Sequence, residues 1–293
     1  MKKYLLFFML FALCKFNGYA QLIQNITIEE STTTPFILQN DRIYLQIQLF
    51  DENFNIILDN GAPKTNFPPT IIEKFTSLPD SLICQTFPKI PDLKDYEKRV
   101  MLGIGNYALI LDTIRCRPDG MFVLGVELFE RRIVNLDFVN ETLTLSNTLP
   151  EDINTYIAID MSSQKHENRY GVIQHYFLIH IPDFKNSFSQ NVPLVFHIDL
   201  GANGSIVPDK TIQKVDYEKF SNDLTLLSCL FSSEIMFNRP PLRISYSGGG
   251  GKFSEAPQEE KFAHFDGWIG VDILKRFHSV IFDYQGKKLY VKI

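Results

Sequence analysis

Two stretches of the chain carry an apolar run straight into a carboxylate. FNIILDNGAPKT, from Phe54 to Thr65, meets Asp59, and PLVFHIDLGANGSIV, from Pro193 to Val207, meets Asp199. In each, a glycine stands two positions later (Gly61, Gly201) and an alanine follows it (Ala62, Ala202). An isolated aspartate in apolar surroundings is costly. Two of them side by side share a proton, because neighbouring carboxylates do not both ionise readily. One can then act as a base toward water, while the other polarises or protonates the carbonyl of an amide. That pair would hydrolyse peptides without a metal or a covalent intermediate. Glycine in each loop lets backbone pack closely and offer N–H groups to the carboxylates. The LDNG string alone also reads as a hairpin turn, since Asn-Gly suits type I′ geometry. The second copy, with Leu200 where Asn60 stands, does not fit that reading.

The elements that must position the two aspartates are themselves duplicated. RIYLQIQL, from Arg42, alternates apolar and polar residues as a half-buried strand does, and HYFLIHI, from His175, is its looser counterpart. After each aspartate comes a proline and a short helical pattern, PPTIIEKF from Pro68 and PDKTIQKV from Pro208, proline being suited to a helix start. The halves also close alike. Asp119-Gly120 matches Asp266-Gly267, Leu124-Gly125-Val126-Glu127 matches Ile269-Gly270-Val271-Asp272, and Leu136-Asp137-Phe138 matches Phe282-Asp283-Tyr284. The offset is 140 residues between Asp59 and Asp199 and 145 between Gly125 and Gly270. Asp119, Asp266, Asp137 and Asp283 sit at turn-like positions and read as structural. The pattern lapses between Thr148 and Thr155, around Pro150, which sets the expected boundary.

This doubled plan resembles the aspartic proteases, pepsin-like and retropepsin-like, as a two-lobed single chain of the bacterial secreted type. The resemblance covers almost all of the chain after its first residues. It implies an all-β fold of two related six-stranded β-barrel lobes, residues 21–150 and 151–293, with a cleft between them. It implies Asp59 and Asp199 as the catalytic pair, supported by Asn60, Gly61, Ala62, Leu200, Gly201, Ala202 and Asn203. In the family an apolar-apolar-Gly segment packs beside each catalytic loop; here these are Val123-Leu124-Gly125 and Trp268-Ile269-Gly270. The family also places flaps between these motifs. The candidates are GIGNY (Gly103, Gly105, Tyr107) and YSGGGGKF (Tyr246, Gly248, Gly249), the latter also readable as a plain flexible loop.

The departures fall beside the aspartates. Asn60 and Leu200 stand where the family has Thr or Ser, whose hydroxyls bond across the lobes, and Leu200 has no polar atom in its side chain. Pro63 and Asn203 replace a second Ser or Thr. A lost hydrogen bond to a charged group costs roughly 1.5–3 kcal/mol. The alternative expectation is therefore a weak or inactive peptide-binding pseudoprotease. A carbohydrate-binding or purely structural β protein is a third reading that leaves both Asp-x-Gly-Ala loops unexplained. His197 precedes Asp199 by two residues and shares its strand face; it reads as a structural histidine.

The chain as a whole sets outer limits. It has 293 residues, 45% hydrophobic and 22% charged, with 25 Phe and 12 Tyr that favour strands. The net charge of -5 shows no basic surplus, which argues against nucleic acid as a partner. Lys2 and Lys3, the apolar run YLLFFMLFALC and the small residues Gly18 and Ala20 read as a secretory signal over residues 1–20. An uncleaved membrane anchor is the other reading. Removing Lys2, Lys3 and Lys15 from 29 basic residues leaves 26 against 34 acidic ones, a charge of −8. Of the remaining cysteines, Cys84 and Cys116 are candidates for a bridge or for buried thiols, and Cys229 is left over. No spacing resembles a metal site. The expectation is thus a secreted or periplasmic monomer without cofactor, acting on or holding an extended polypeptide, with no membrane span after signal cleavage.

Overall fold

The computed structural model describes residues 31–76, 82–117, 119–167, 171–185, 191–202, 204–207, 245–246 and 265–293. The first half runs β1 (Ser31–Gln39), β2 (Arg42–Leu49), β3 (Glu52–Leu58), β4 (Asn66–Phe67), α1 (Pro69–Thr76), β5 (Leu82–Phe87), β6 (Ile90–Ile104), β7 (Tyr107–Cys116), β8 (Val123–Leu124), α2 (Glu127–Arg131), β9 (Ile133–Asp137) and β10 (Thr142–Ser146). The second runs β11 (Ile157–Glu167), β12 (Ile173–Lys185), β13 (Asn191–Ile198), β14 (Ile206–Val207), β15 (Ser245–Tyr246), β16 (Gly267–Ile269), α3 (Val271–Leu274), β17 (Ser279–Asp283) and β18 (Lys288–Lys292).

Periodicity in the sequence becomes burial in the fold. In β2, Ile43, Leu45, Ile47 and Leu49 point inward, while Gln46 and Gln48 face solvent. β12 is buried on both faces, which explains its looser pattern: Phe177 and Ile179 enter the main core, and Tyr176 and Leu178 pack with Phe265. Asp137 accepts from the N–H groups of Val139 and Asn140, and Asp283 from that of Gly286. Asp119 accepts from the Met121 N–H and Asp266 from that of Val195. All four aspartates act as turn and strand-end acceptors, as their positions suggested. Helix α1 begins at Pro69 as expected, while the matching pattern at Pro208 lies outside the described residues.

Pairing closes the first half into a ring. β2 pairs β3, β3 pairs β8, β8 pairs β4, β4 pairs β7, β7 pairs β6, and β6 returns to β2. A closed ring leaves no unpaired edge. The second half repeats the same neighbours: β13 lies parallel to β16 as β3 does to β8, and β14 parallel to β15 as β4 does to β7. Among the described residues this second ring is open. Between the halves runs a feature the pattern had not revealed, an antiparallel sheet in the order β1-β10-β9-β17-β18-β11. At its centre Asn135 faces Ile281, equivalent positions of the two halves by the match of Leu136-Asp137 to Phe282-Asp283, so the approximate twofold passes there.

The core continues from one half into the other. Phe129 of α2 is fully buried, with ring centres 5.3 Å from Phe282 and 5.8 Å from Phe177 of the second half. Cys116 carries a free, buried thiol, so it forms no bridge with Cys84, and burial pushes that thiol up. Among the described residues no helix is long and apolar enough to cross a membrane.

Because one core serves both halves, Phe129→Ala is expected to destabilise the whole molecule by about 3–5 kcal/mol. Urea unfolding followed by fluorescence and by circular dichroism checks this. Coincident transitions, both shifted, are the expected result; loss of one half alone would mean separate cores.

Candidate active site

β3 and β13 each deliver an aspartate from a strand end that is locked to its neighbour. The Asp59 N–H donates to the Leu124 carbonyl and the Asp199 N–H to that of Ile269, each at 3.0 Å. The loop then curls back. Asp59 Oδ1 accepts from the N–H groups of Gly61 at 2.8 Å and Ala62 at 3.1 Å, and Asp199 Oδ1 from that of Gly201 at 2.9 Å. The glycines permit the approach of the two loops. A Cβ on Gly201 would lie 2.3 Å from the Asp59 carboxyl, and one on Gly61 would lie 3.2 Å from an oxygen of each aspartate. The two carboxylates therefore meet in one site. Asp59 is pushed up to about 8, first by burial and next by the charge of Asp199, against the lowering effect of the Gly61 and Ala62 N–H groups. The pair thus keeps a proton well above the usual carboxylate range.

Asn60 ties the loops together. Its Nδ2 donates to the Ile198 carbonyl at 2.9 Å, and its Oδ1 accepts from the Leu200 N–H at 2.8 Å. One buried amide thus makes both bonds to the opposite loop. Leu200 returns no side-chain bond; it is fully buried and belongs to the core. Ala62 packs with Ile57 and Val123, and Ala202 donates its N–H to the Asp199 carbonyl at 3.3 Å. Asn203, Gly248 and Gly249 lie outside the described residues, as does the side chain of Tyr246, whose backbone pairs with Val207.

A second repeated network was missed in the sequence. The Thr65 N–H and hydroxyl both donate to Glu127, at 2.9 and 3.0 Å, and the Gly125 N–H donates to the Thr65 hydroxyl at 3.1 Å. In the other half Ser205 makes the same pair of bonds to Asp272, at 3.0 and 2.7 Å, and accepts from the Gly270 N–H at 2.9 Å. Each clip locks the loop after an aspartate to the turn after β8 or β16. The signal was available: a hydroxyl residue six positions after each aspartate and an acid two positions after each glycine. Burial raises Glu127 despite its bonds from Thr65.

The flap expectation for GIGNY is corrected. β7 reaches the site at Arg115, opposite Asn66, and the GIGNY turn lies roughly 26 Å of strand away. The turn is fastened to β1 and β2: the Asn106 N–H donates to Thr32 Oγ1 at 3.2 Å, and Gly103 packs on Gln48. The Tyr107 ring lies 4.7 Å from the Arg132 guanidinium. The hairpin that does approach the loop after Asp59 is β5–β6. Its Gln85 and Phe87 line a cavity of about 210 Å³ with Pro63, Lys64, Arg115 and His175. Lys64 and Arg115 both bind Asp95, at 2.8 and 2.6 Å. Burial alone would raise Asp95, but those two cations outweigh it and hold it below the usual range.

No family model and no curated protein matches the chain. Solved structures do. The crystal structure of edgp superposes with a TM-score of 0.53 at 8% identity, over 89% of this chain and 94% of that one. Aspartic proteinase from Irpex lacteus gives 0.48 at 11% identity, over 89% and 97%. Conglutin gamma, a basic 7S globulin from lupine seeds, gives 0.49 at 9%, over 90% and 95%. The likeness is one of fold. The chain has the all-β architecture of two similar halves that was expected from its doubled motifs, and it shares its fold with edgp.

Two outcomes follow from the site. Asn60→Ala orphans a buried N–H and a buried carbonyl, and each such group costs about 1–3 kcal/mol. Denaturant unfolding should show a loss of about 2–6 kcal/mol; a loss under about 0.5 would mean Asn60 does not hold the loops. Asp59 titrates near 3.9 when unfolded and near 8 when folded, so the folded state binds the extra proton between these values. Its contribution to stability is full below about 4 and is lost as pH rises toward about 8, by at most about 1.4 kcal/mol per unit. Unfolding measured across this range should lose that slope in Asp59→Asn.

Proposed function

We propose that the protein is an aspartic-type peptidase that hydrolyses peptide bonds in an extended polypeptide. The carrying observation is the pair of carboxylates, Asp59 and Asp199, brought together by two equivalent loops and held by the N–H groups of Gly61, Ala62 and Gly201. Water held between them loses a proton to one carboxylate as it attacks, and the carbonyl oxygen takes the proton of the other. The N–H groups of Gly61, Ala62 and Gly201 and the bonds of Asn60 hold the pair in place, so little reorganisation is needed. Phe87 and the cavity beside Pro63 and Lys64 supply a place for a substrate side chain. One chain provides both halves of the site, so it acts as a monomer, exported to a secreted or periplasmic location after removal of residues 1–20.

Leu200 favours a second reading. Its apolar side chain removes one half of the cross-lobe bonding, and a peptide-binding pseudoprotease would tolerate that loss. Cleavage of a denatured protein between about pH 3 and 9 separates the two. The peptidase reading expects cleavage that declines as pH rises through about 8, where the pair loses its proton, and a fall of at least about 10²-fold in Asp59→Asn and Asp199→Asn. A folded protein that binds extended peptides but cleaves none at any pH would establish the pseudoprotease instead.

A further inference from the structure

The two loops are near copies, yet one position breaks the symmetry at the carboxylates. Two residues before Asp59 stands Ile57; two residues before Asp199 stands His197. His197 is only 2% exposed. Its Nδ1 lies 3.1 Å from the Phe177 carbonyl oxygen. A carbonyl oxygen can only accept, so Nδ1 carries a hydrogen. The other ring nitrogen, Nε2, lies 3.8 Å from Asp199 Oδ2. In a neutral ring that nitrogen would be a bare acceptor facing a carboxylate oxygen. A proton on Nε2 turns this repulsion into an ion pair.

Burial opposes a charge on this ring, and the Asp199 carboxylate beside Nε2 is what offsets that cost. The rings of Tyr176, Phe265 and Trp268 lie 4.9, 5.6 and 6.0 Å from the imidazole. Among the described residues, the titratable groups that face His197 include Asp199 beside it and Tyr176 and His175 on β12. Tyr176 is raised by burial and by Asp199, and so stays neutral, its hydroxyl donating to Gln174 at 2.6 Å. His175 is held down to about 4, mainly by burial, so it does not compete as a cation at neutral pH.

We propose that His197 is the third ionisable group of the site: as an imidazolium it holds Asp199 as the carboxylate, so that the shared proton rests on Asp59. The assignment of roles that follows depends on the peptidase reading; the protonation link does not. Asp199 takes a proton from the attacking water as the new carbon–oxygen bond forms. Asp59 gives its proton to the carbonyl oxygen as the π bond breaks, which yields a neutral gem-diol. His197 exchanges no proton with substrate and is a positioning residue.

The test uses the purified protein labelled with ¹⁵N-histidine and titrated by NMR. The His197 signals are those missing from His197→Gln. At neutral pH both of its nitrogens should carry protons, and Asp199→Asn should lower its titration midpoint by at least about one pH unit, the effect of removing an opposite charge at this distance. In His197→Gln the upper titration of the aspartate pair, followed by ¹³C carboxyl shifts, should move up, because a positive neighbour is gone. If the protein cleaves peptides, the alkaline limb of its pH–rate profile should move up with it, with kcat reduced more than KM is raised. An unprotonated Nε2 at neutral pH, or a midpoint unmoved in Asp199→Asn, overturns the proposal and leaves His197 as core filling. Should His197→Gln fail to fold, the Asp199→Asn comparison decides alone. The predicted titrations without cleavage would sink the peptidase reading but not this one.

Discussion

Two carboxylates held against each other are the constraint on which the rest of this structure depends. Burial opposes their charge and each opposes the other, so the pair survives only with a shared proton and donors fixed around it. The donors are backbone N–H groups, which requires tight loops, and tight loops require glycine. The glycines in turn must lie under the opposing aspartates, so the two loops must pack on one another. From that contact follow the anchoring of β3 on β8 and of β13 on β16, and the clips Thr65–Glu127 and Ser205–Asp272. The sheet that joins the halves sets the axis about which the loops face.

Duplication supplies the frame, and divergence then divides the labour. Asn60 makes both bonds to the opposite loop, while Leu200 contributes apolar burial, worth about 1.5–3 kcal/mol for such a side chain. A polar grip on one side and a packed anchor on the other can hold the loops where two hydroxyls would otherwise serve. The same division recurs beneath the carboxylates, where Ile57 packs with Ala62 and Val123 and His197 faces Asp199. An approximate twofold in backbone thus carries a marked asymmetry in charge.

The hairpins show how a local signal can mislead about position. GIGNY has the glycines of a mobile tip, and Gly105 does take the left-handed conformation with φ of 55°. What glycine satisfies there is the turn itself and the close approach of Thr32. Whether a tip overhangs a cleft depends on where its strands are anchored, and β7 is anchored near the site by its far end. The turn between Phe87 and Ile90, whose Phe87 lines the cavity beside Pro63 and Lys64, contains no glycine.

The sequence by itself determined the strands, the duplication and the two aspartates. Each of these is written in short-range periodicity or in repetition, and short-range order survives in a one-dimensional reading. β2 alternates, α1 starts at its proline, and the turn aspartates cap the loops they sit in. Only the tertiary structure decided what Asn60, His197, Cys116 and the GIGNY turn do. Asn60 meets its partners 138 and 140 residues away, and Thr65 meets Glu127 across 62. Hydrogen bonds and ion pairs fall off within a few ångströms, so their existence depends on how distant segments are brought together. That His197 touches a carboxylate through one nitrogen and a carbonyl through the other is a fact of packing, which residue type and spacing do not contain.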